Sequence, residues 1–292
     1  MRKILIAAIA LACVTCGAAA VRAQNEIGSV PKVLVIDREM VKFGKAAAHG
    51  KNEAAWAKAT ASAKSPGHYL AATTLSGPGE AWFLEGFNSF SDWEKSDQYD
   101  EQHKVGELTA PMMEKDTEYV SESSSVVATY NEGWSYRPSM NITEMRYFEV
   151  QTIHLKQGHD KEWEELDKLY TGTLAKVNAD EHDIVFEAHY GAADGTVYIF
   201  TPRKSLADLD AAMGTGKAFQ DALGAEGQKK LAQLLEAAVA SSNTTLIKFS
   251  PEMSYAPDEW IKADPGYWKP KAAMAPKAPA EKKADAAAAP KN

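Results

Sequence analysis

Residues 79–94 read GEAWFLEGFNSFSDWE, and residues 195–210 read GTVYIFTPRKSLADLD. Each is a turn glycine, a short β-rich run, a break, and then Ser-x-x-Asp opening an amphipathic stretch. Trp82 aligns with Tyr198, Phe83 with Ile199, Ser89 with Ser205 and Asp92 with Asp208. The two serines have the composition of helix N-caps. The two acids three residues later complete a capping box, in which side chains satisfy the otherwise orphaned N–H groups of a first helical turn. The spacing therefore predicts a strand followed by a capped helix, used twice.

Working outward, the repeat extends in both directions. Residues 31–41 (PKVLVIDREMV) form a β-branched run that ends in the corner Lys42-Phe43-Gly44-Lys45. The second copy starts at Arg146 and ends in Lys156-Gln157-Gly158-His159. A helical pattern follows each corner, over 46–64 and 160–178, with Trp56, Trp163, Leu166 and Leu169 as core candidates. Strands are expected over 68–75 and 182–190, each leading through a glycine-rich turn into the opening stretch. A second helix comes next, broken or bent near Pro111 in the first copy. The last strands are expected over 123–136 and 242–255. This order is β-α-β-β-α-β, the ferredoxin-like plan, repeated once.

The remaining segments have other compositions. Residues 1–23 read as an export leader: Arg2 and Lys3, an apolar run, and Val21-Arg22-Ala23 as a cleavage site. Cys13 and Cys16 lie within it, so the exported body carries no thiol for disulfides, catalysis or metal binding. Lipid attachment at Cys13 after Ala10-Leu11-Ala12 is the alternative leader reading. Residues 258–292 begin with Trp260, Tyr267 and Trp268, which suit a packing strap, and continue as an Ala/Lys/Pro-rich tail expected to lack fixed structure. The division is thus 1–23 leader, 24–138 first repeat, 139–257 second repeat, and 258–292 strap and tail.

The net charge of −8 includes the cations of the leader and tail, so the body is more acidic than the whole. Such a surface argues against nucleic acid as a partner, because phosphate binding needs a basic face. No segment after the leader is long and apolar enough to cross a bilayer. A periplasmic or secreted location follows from the leader. Whether the chain forms oligomers is left open.

Strand alternation assigns the sheet faces. Ile184, Phe186, Ala188, Val197 and Ile199 are placed under the helices, with Phe148 and Val150. The opposite face then carries Glu149, Gln151, Ile153, Val185, Glu187, His189, Tyr198 and Phe200. Its counterpart in the first copy carries Val35, Asp37, Glu39, Leu70, Ala72, Trp82 and Leu84. Two such faces packed together would hide an exposed apolar patch and enclose a lined cavity. The expected ligand-lining residues are Glu149, Gln151, Glu187, His189 and Tyr198, opposed by Trp82 and Asp37.

Residues 148–158 (FEVQTIHLKQG) resemble the first-strand motif of NIPSNAP-type domains in the dimeric α+β barrel superfamily. Glu149, Thr152, Leu155, Lys156 and Gly158 match; the motif's arginine is Gln151 here and its proline is Gln157. The resemblance implies an α+β fold in which two tandem ferredoxin-like repeats form a dimeric α+β barrel within one chain. The superfamily includes cofactor-free oxygenases of the antibiotic-biosynthesis type, haem-binding and haem-degrading proteins, and stress-responsive proteins.

Three functions stand open: a small-molecule-binding protein with its ligand between the sheets, a cofactor-independent oxygenase-like enzyme, and a structural or stress protein with a filled barrel. Glu187 and His189, two apart on one strand, suit a general base with an orienting acid, or a hydrogen-bonded cluster that closes the barrel. Two ligands on one strand do not define a metal centre, and none is assigned. Haem is the sharper cofactor candidate, with His189, His154 and His182 as axial-ligand candidates. Motifs for zinc peptidases, nucleophile elbows, dinucleotides and phosphate loops are missing from the sequence.

Overall fold

The computed structural model describes residues 29–269; the leader and most of the tail lie outside them. Eight strands close into one barrel in the order β1-β3-β2-β8-β5-β7-β6-β4. The first half supplies β1 (Val33–Val41), α1 (Ala46–Ala63), β2 (Tyr69–Thr74), β3 (Glu80–Phe87), α2 (Phe90–Gln102), α3 (Val105–Tyr119) and β4 (Val120–Tyr130). The second supplies β5 (Tyr147–Leu155), α4 (Asp160–Lys176), β6 (Ile184–Tyr190), β7 (Thr196–Arg203), α5 (Ala207–Ala238) and β8 (Val239–Phe249). Two short helices, α6 (Asp258–Ala263) and α7 (Pro265–Trp268), complete the described chain.

The strand pairings of the halves correspond register for register. Val33 stands opposite Phe87 and Thr129, and Tyr147 stands opposite Arg203 and Lys248. Irregularities fall at Met40/Val41 and at His154/Leu155, the same place in each first strand. The corner glycines Gly44 and Gly158 both adopt positive φ, 78° and 81°. Only a residue without a Cβ enters that region at little cost, so the two corners turn the chain from strand to helix alike. Each half would leave two open edges alone; β2 pairs with β8 and β4 with β6, which closes the barrel and removes them.

Register decides the faces, and it corrects the alternation-based assignment. Ile184 lies opposite Phe200, Phe186 opposite Tyr198, and Val150 opposite Phe200. Directly opposed residues share a face. The barrel interior therefore holds Phe148, Val150, Ile184, Phe186, Tyr198 and Phe200, joined by Leu34, Ile36, Leu70, Ala72, Trp82 and Leu84. Val185, Val197 and Ile153 instead pack outward against Trp163 and Leu166 of α4 and Leu234 of α5. Both faces of these strands are buried, so apolar residues occur on both. Alternation then loses its power to say which face is which.

Several element ends also differ from expectation. The last strands begin earlier, at Val120 and Val239, and end at Tyr130 and Phe249; Tyr136 and Tyr255 make only isolated bridges, to Asp183 and Tyr69. Pro111 sits inside α3, and the break between helices falls at Lys104, which has φ 55°. In the second half the chain kinks at Gly224 instead. Ser89 does cap α2, accepting a hydrogen bond from the Asp92 N–H. Its counterpart divides the box differently. The Asp208 carboxylate accepts from the N–H of Ser205, and the Ser205 hydroxyl donates to Asp208.

The strap closes over the barrel. Trp268 is 1% exposed and belongs to the interior cluster, and its Nε1 donates to the Thr143 carbonyl at 3.0 Å. Arg146 pairs with Asp264 and lies 3.8 Å above the Tyr267 ring, which fixes the segment against the barrel.

Candidate functional site

Among the spaces lined by the described residues, three lie against the barrel wall or within it. The one between the sheets is small and apolar, about 120 Å³, lined by Leu34, Leu70, Leu84, Phe148, Phe186 and Phe200. Its mouth carries Pro31, His68, Met140, Pro257 and Trp260. Deeper in the barrel, Arg38 and Glu80 form a bidentate pair at 2.8 Å, with the guanidinium 4.4 Å over the Trp82 ring. Trp82 Nε1 also donates to Glu80 at 2.8 Å. The pair and the aromatic side chains fill the interior.

A larger space, about 570 Å³, lies outside the barrel wall, between β1–β3 and the helices of the first half. Asp37 and Glu39 reach it from β1, Glu85 from β3, Glu53 from α1 and Asp100 from α2, with Tyr69, Trp56 and Phe83 as aromatic walls. Arg38 is the one Lys or Arg among the described lining residues, and its guanidinium is committed to Glu80.

Burial and mutual repulsion act together on these carboxyls. Burial, then Asp37, Asp100 and Asp97, pushes Glu85 up to about 8. Burial also raises Asp37 and Asp100 above the ordinary carboxylate range. Glu53 is raised to about 9 by burial, then by Asp116 and Glu39. Desolvation raises the Tyr69 phenol as well, with Glu53 and Glu85 adding to it. The Tyr69 hydroxyl, Asp100 Oδ1 and Glu53 Oε1 are buried without a hydrogen-bond partner. The Glu85 carboxylate rests on Gly67, where a Cβ would overlap it and would sit 2.9 Å from the Ser96 Oγ.

The third space, about 420 Å³, is the counterpart in the second half, lined by Glu149, Gln151, Tyr170, Asp183, Thr201 and Arg203 among others. There the charges are answered. Arg203 meets Glu149 and Glu181, each at 2.7 Å, and Thr201 donates to Asp183 at 2.6 Å. The register equivalent of Arg203 in the first half is Phe87, fully buried against Val33 and Val35.

The residues expected to line one inter-sheet cavity are thus divided. Trp82 and Tyr198 point into the barrel. Asp37 lines the first-half cavity, while Glu149 and Gln151 line the second-half cavity, both beneath helices. Glu187 and His189 lie on the outer wall with Val185, and His189 is exposed, its Nε2 2.7 Å from the Thr129 hydroxyl. The expected Glu187–His189 cluster inside the barrel is therefore not formed. His154 bonds Thr196 at 3.0 Å and His182 bonds the Arg137 carbonyl at 2.6 Å. None of these three histidines lines the three spaces described.

Sequence reasoning missed His49, Glu53 and Glu85. His49 and Glu53 are four apart, which places two ligand-type side chains on one face of α1. That spacing was the available signal. Glu85 carried none, because its alternation matches that of its apolar neighbours.

No protein-family model matches the chain, and no curated protein matches it by sequence. Solved structures do. An anthrone oxidase-like protein superposes with TM-score 0.51 at 12% identity, over 77% of this chain and 94% of that one. A candidate monooxygenase from Fusobacterium nucleatum gives 0.48 at 12% identity, over 75% and 93%. A candidate chlorite dismutase gives 0.46 at 10% identity, over 77% and 97%. The fold is mixed α+β with an eight-stranded barrel closed by a single chain, which is consistent with the dimeric α+β barrel architecture. At these identities the likeness speaks for the fold.

Proposed function

We propose that this chain is an extracytoplasmic small-molecule-binding protein, and that its ligand is an organic cation taken up in the first-half cavity. One observation carries the reading. Asp37, Glu85 and Asp100 face one space of about 570 Å³ with no free basic side chain among its described lining residues, whereas Arg203 supplies the cation in the second half. Buried carboxyls left so must hold protons or meet a positive ligand. An alkylammonium or arylammonium group would satisfy them, with Tyr69, Trp56 and Phe83 offering apolar and π surface to its body. The inter-sheet space of about 120 Å³ falls below the several hundred Å³ usual for a ligand pocket, so the ligand is assigned to the helix side.

Two finer statements belong to the same reading. The halves are two copies of one ferredoxin-like βαββαβ unit, which the matched registers support, and the resemblance of residues 148–158 to the NIPSNAP first-strand motif supports a relation of the second copy to those domains. Residues 1–23 act as the export signal.

Calorimetric titration of the mature protein with benzylamine and with 1,4-diaminobutane tests the binding reading, with benzoate as the anionic control. Saturable amine binding that Glu85→Gln weakens, with none for benzoate, is the expected result. Equal binding of benzoate, or amine binding indifferent to Glu85→Gln and Asp37→Asn together, overturns it.

A further inference from the structure

We propose that Glu39, His49 and Glu53 form a binding site for a divalent first-row transition ion. The site stands at one end of the first-half cavity and does not depend on the amine reading. Among the described residues this is the group of His and carboxylate ligand atoms that comes together, all within 4.8 Å of one another. His49 Nε2 lies 2.8 Å from Glu39 Oε2 and 3.9 Å from Glu53 Oε1. An ion about 2.1 Å from each ligand asks for ligand separations of roughly 3.0–3.5 Å, so side-chain shifts on the order of 1 Å admit it. One imidazole and two carboxylates are an N,O set suited to zinc or manganese, and their two negative charges balance a divalent ion.

Three further observations point the same way. Glu53 is 5% exposed, and its Oε1 has no partner although it faces His49. The backbone around the group is fixed: His49 and Glu53 share the buried face of α1, and Glu39 comes from the adjoining strand. Asn52, between His49 and Glu53 on α1, donates to the Asp116 carboxylate at 2.8 Å, which ties this stretch of α1 to α3.

The second half shows that the fold does not require this polar set. The equivalents of Glu39 and His49 are Ile153 and Trp163, which pack in an apolar cluster, while Glu53 is answered by another acid, Asp167. Burying a histidine and an acid where apolar packing serves equally well costs stability, and such departures concentrate at binding sites. With three protein ligands and a cavity beside them, the ion keeps positions for water or for an oxygen of a bound molecule.

The test uses the full-length mature chain, without a histidine tag, stripped by chelator and dialysed against zinc or manganese chloride. One ion per chain is the expected stoichiometry. Glu53→Gln and His49→Ala should each weaken binding by roughly 100-fold, while His103→Gln on the surface leaves it unchanged. Circular dichroism verifies that the variants are folded; Glu53→Gln keeps the side-chain volume should His49→Ala unfold the helix. The cobalt-loaded chain should show a visible d–d band that Glu53→Gln removes. No stoichiometric binding of either ion, or binding unaltered in a folded Glu53→Gln chain, overturns the site. Metal binding without amine binding would sink only the amine reading, and the converse only this one.

Discussion

Arg203 reaches from the end of β7 to Glu149 on β5 at 2.7 Å, and at the equivalent place in the first half stands Phe87, paired opposite Val33 as Arg203 is opposite Tyr147. Arg203 thus supplies a cation to the acids of the second-half cavity, while the one arginine lining the first-half cavity is committed to Glu80. Most of the predictions follow from that asymmetry.

Replacing Arg203 by Met should destabilise the protein by about 3 kcal/mol, because Glu149 and Glu181 would keep their burial and lose their partner. The change should appear as a lower midpoint in urea denaturation with the slope preserved. A shift under a few tenths of a kcal/mol would mean that the ion pair is solvated rather than structural.

Glu85 should make stability fall as pH rises. Its folded pKa of about 8 lies above its ordinary 4.5, so the folded state holds the proton more tightly than the unfolded chain. The contribution is full below about 4.5 and is lost progressively as pH climbs through 8. Glu85→Gln should therefore flatten the stability profile between pH 5 and 8 and raise the denaturation midpoint at pH 8. A parallel profile in both proteins would show that Glu85 ionises normally.

Phe200 is 2% exposed and packs edge-on to Phe148, with ring centroids 5.4 Å apart, and to Phe186 at 5.8 Å. Phe200→Ala should cost about 3–5 kcal/mol and enlarge the apolar space it lines. Benzene or indole should then raise the melting temperature of the variant and leave the wild type unmoved. Equal shifts in both would indicate that the native barrel already admits such molecules.

Trp268→Ala should cost about 3–5 kcal/mol, since it removes a buried indole from the barrel cluster and one of the two donors, with Arg146, to the Thr143 carbonyl. Trp268→Phe, which keeps most of the apolar area, should recover the larger part. Limited proteolysis after Ala256 would report the released strap in the alanine variant.

Much of the barrel was legible in the chain itself. Strands, corners and first helices followed from β-branched runs, turn glycines and helical periodicity. Their recurrence at nearly constant spacing gave the order of elements, because local backbone chemistry and short connections are written into neighbouring residues. Leu70, Ala72, Trp82, Leu84 and Tyr198 were also placed on the correct face.

Tertiary structure alone decided the rest. Phe148 and Glu149, or Phe186 and Glu187, alternate in sequence without saying which member enters the barrel. Both faces of the wall are covered, so only the pairing of Ile184 with Phe200 and of Val150 with Phe200 resolves the choice. The acidic cavity was hidden for a related reason. Asp37, Glu85 and Asp100 come from a first strand, a third strand and a helix, and no local pattern reports that closing the barrel buries them around one space. Sequence set the elements and their order through short-range forces, while the electrostatic character of each cavity arose only when distant charges were brought out of water together.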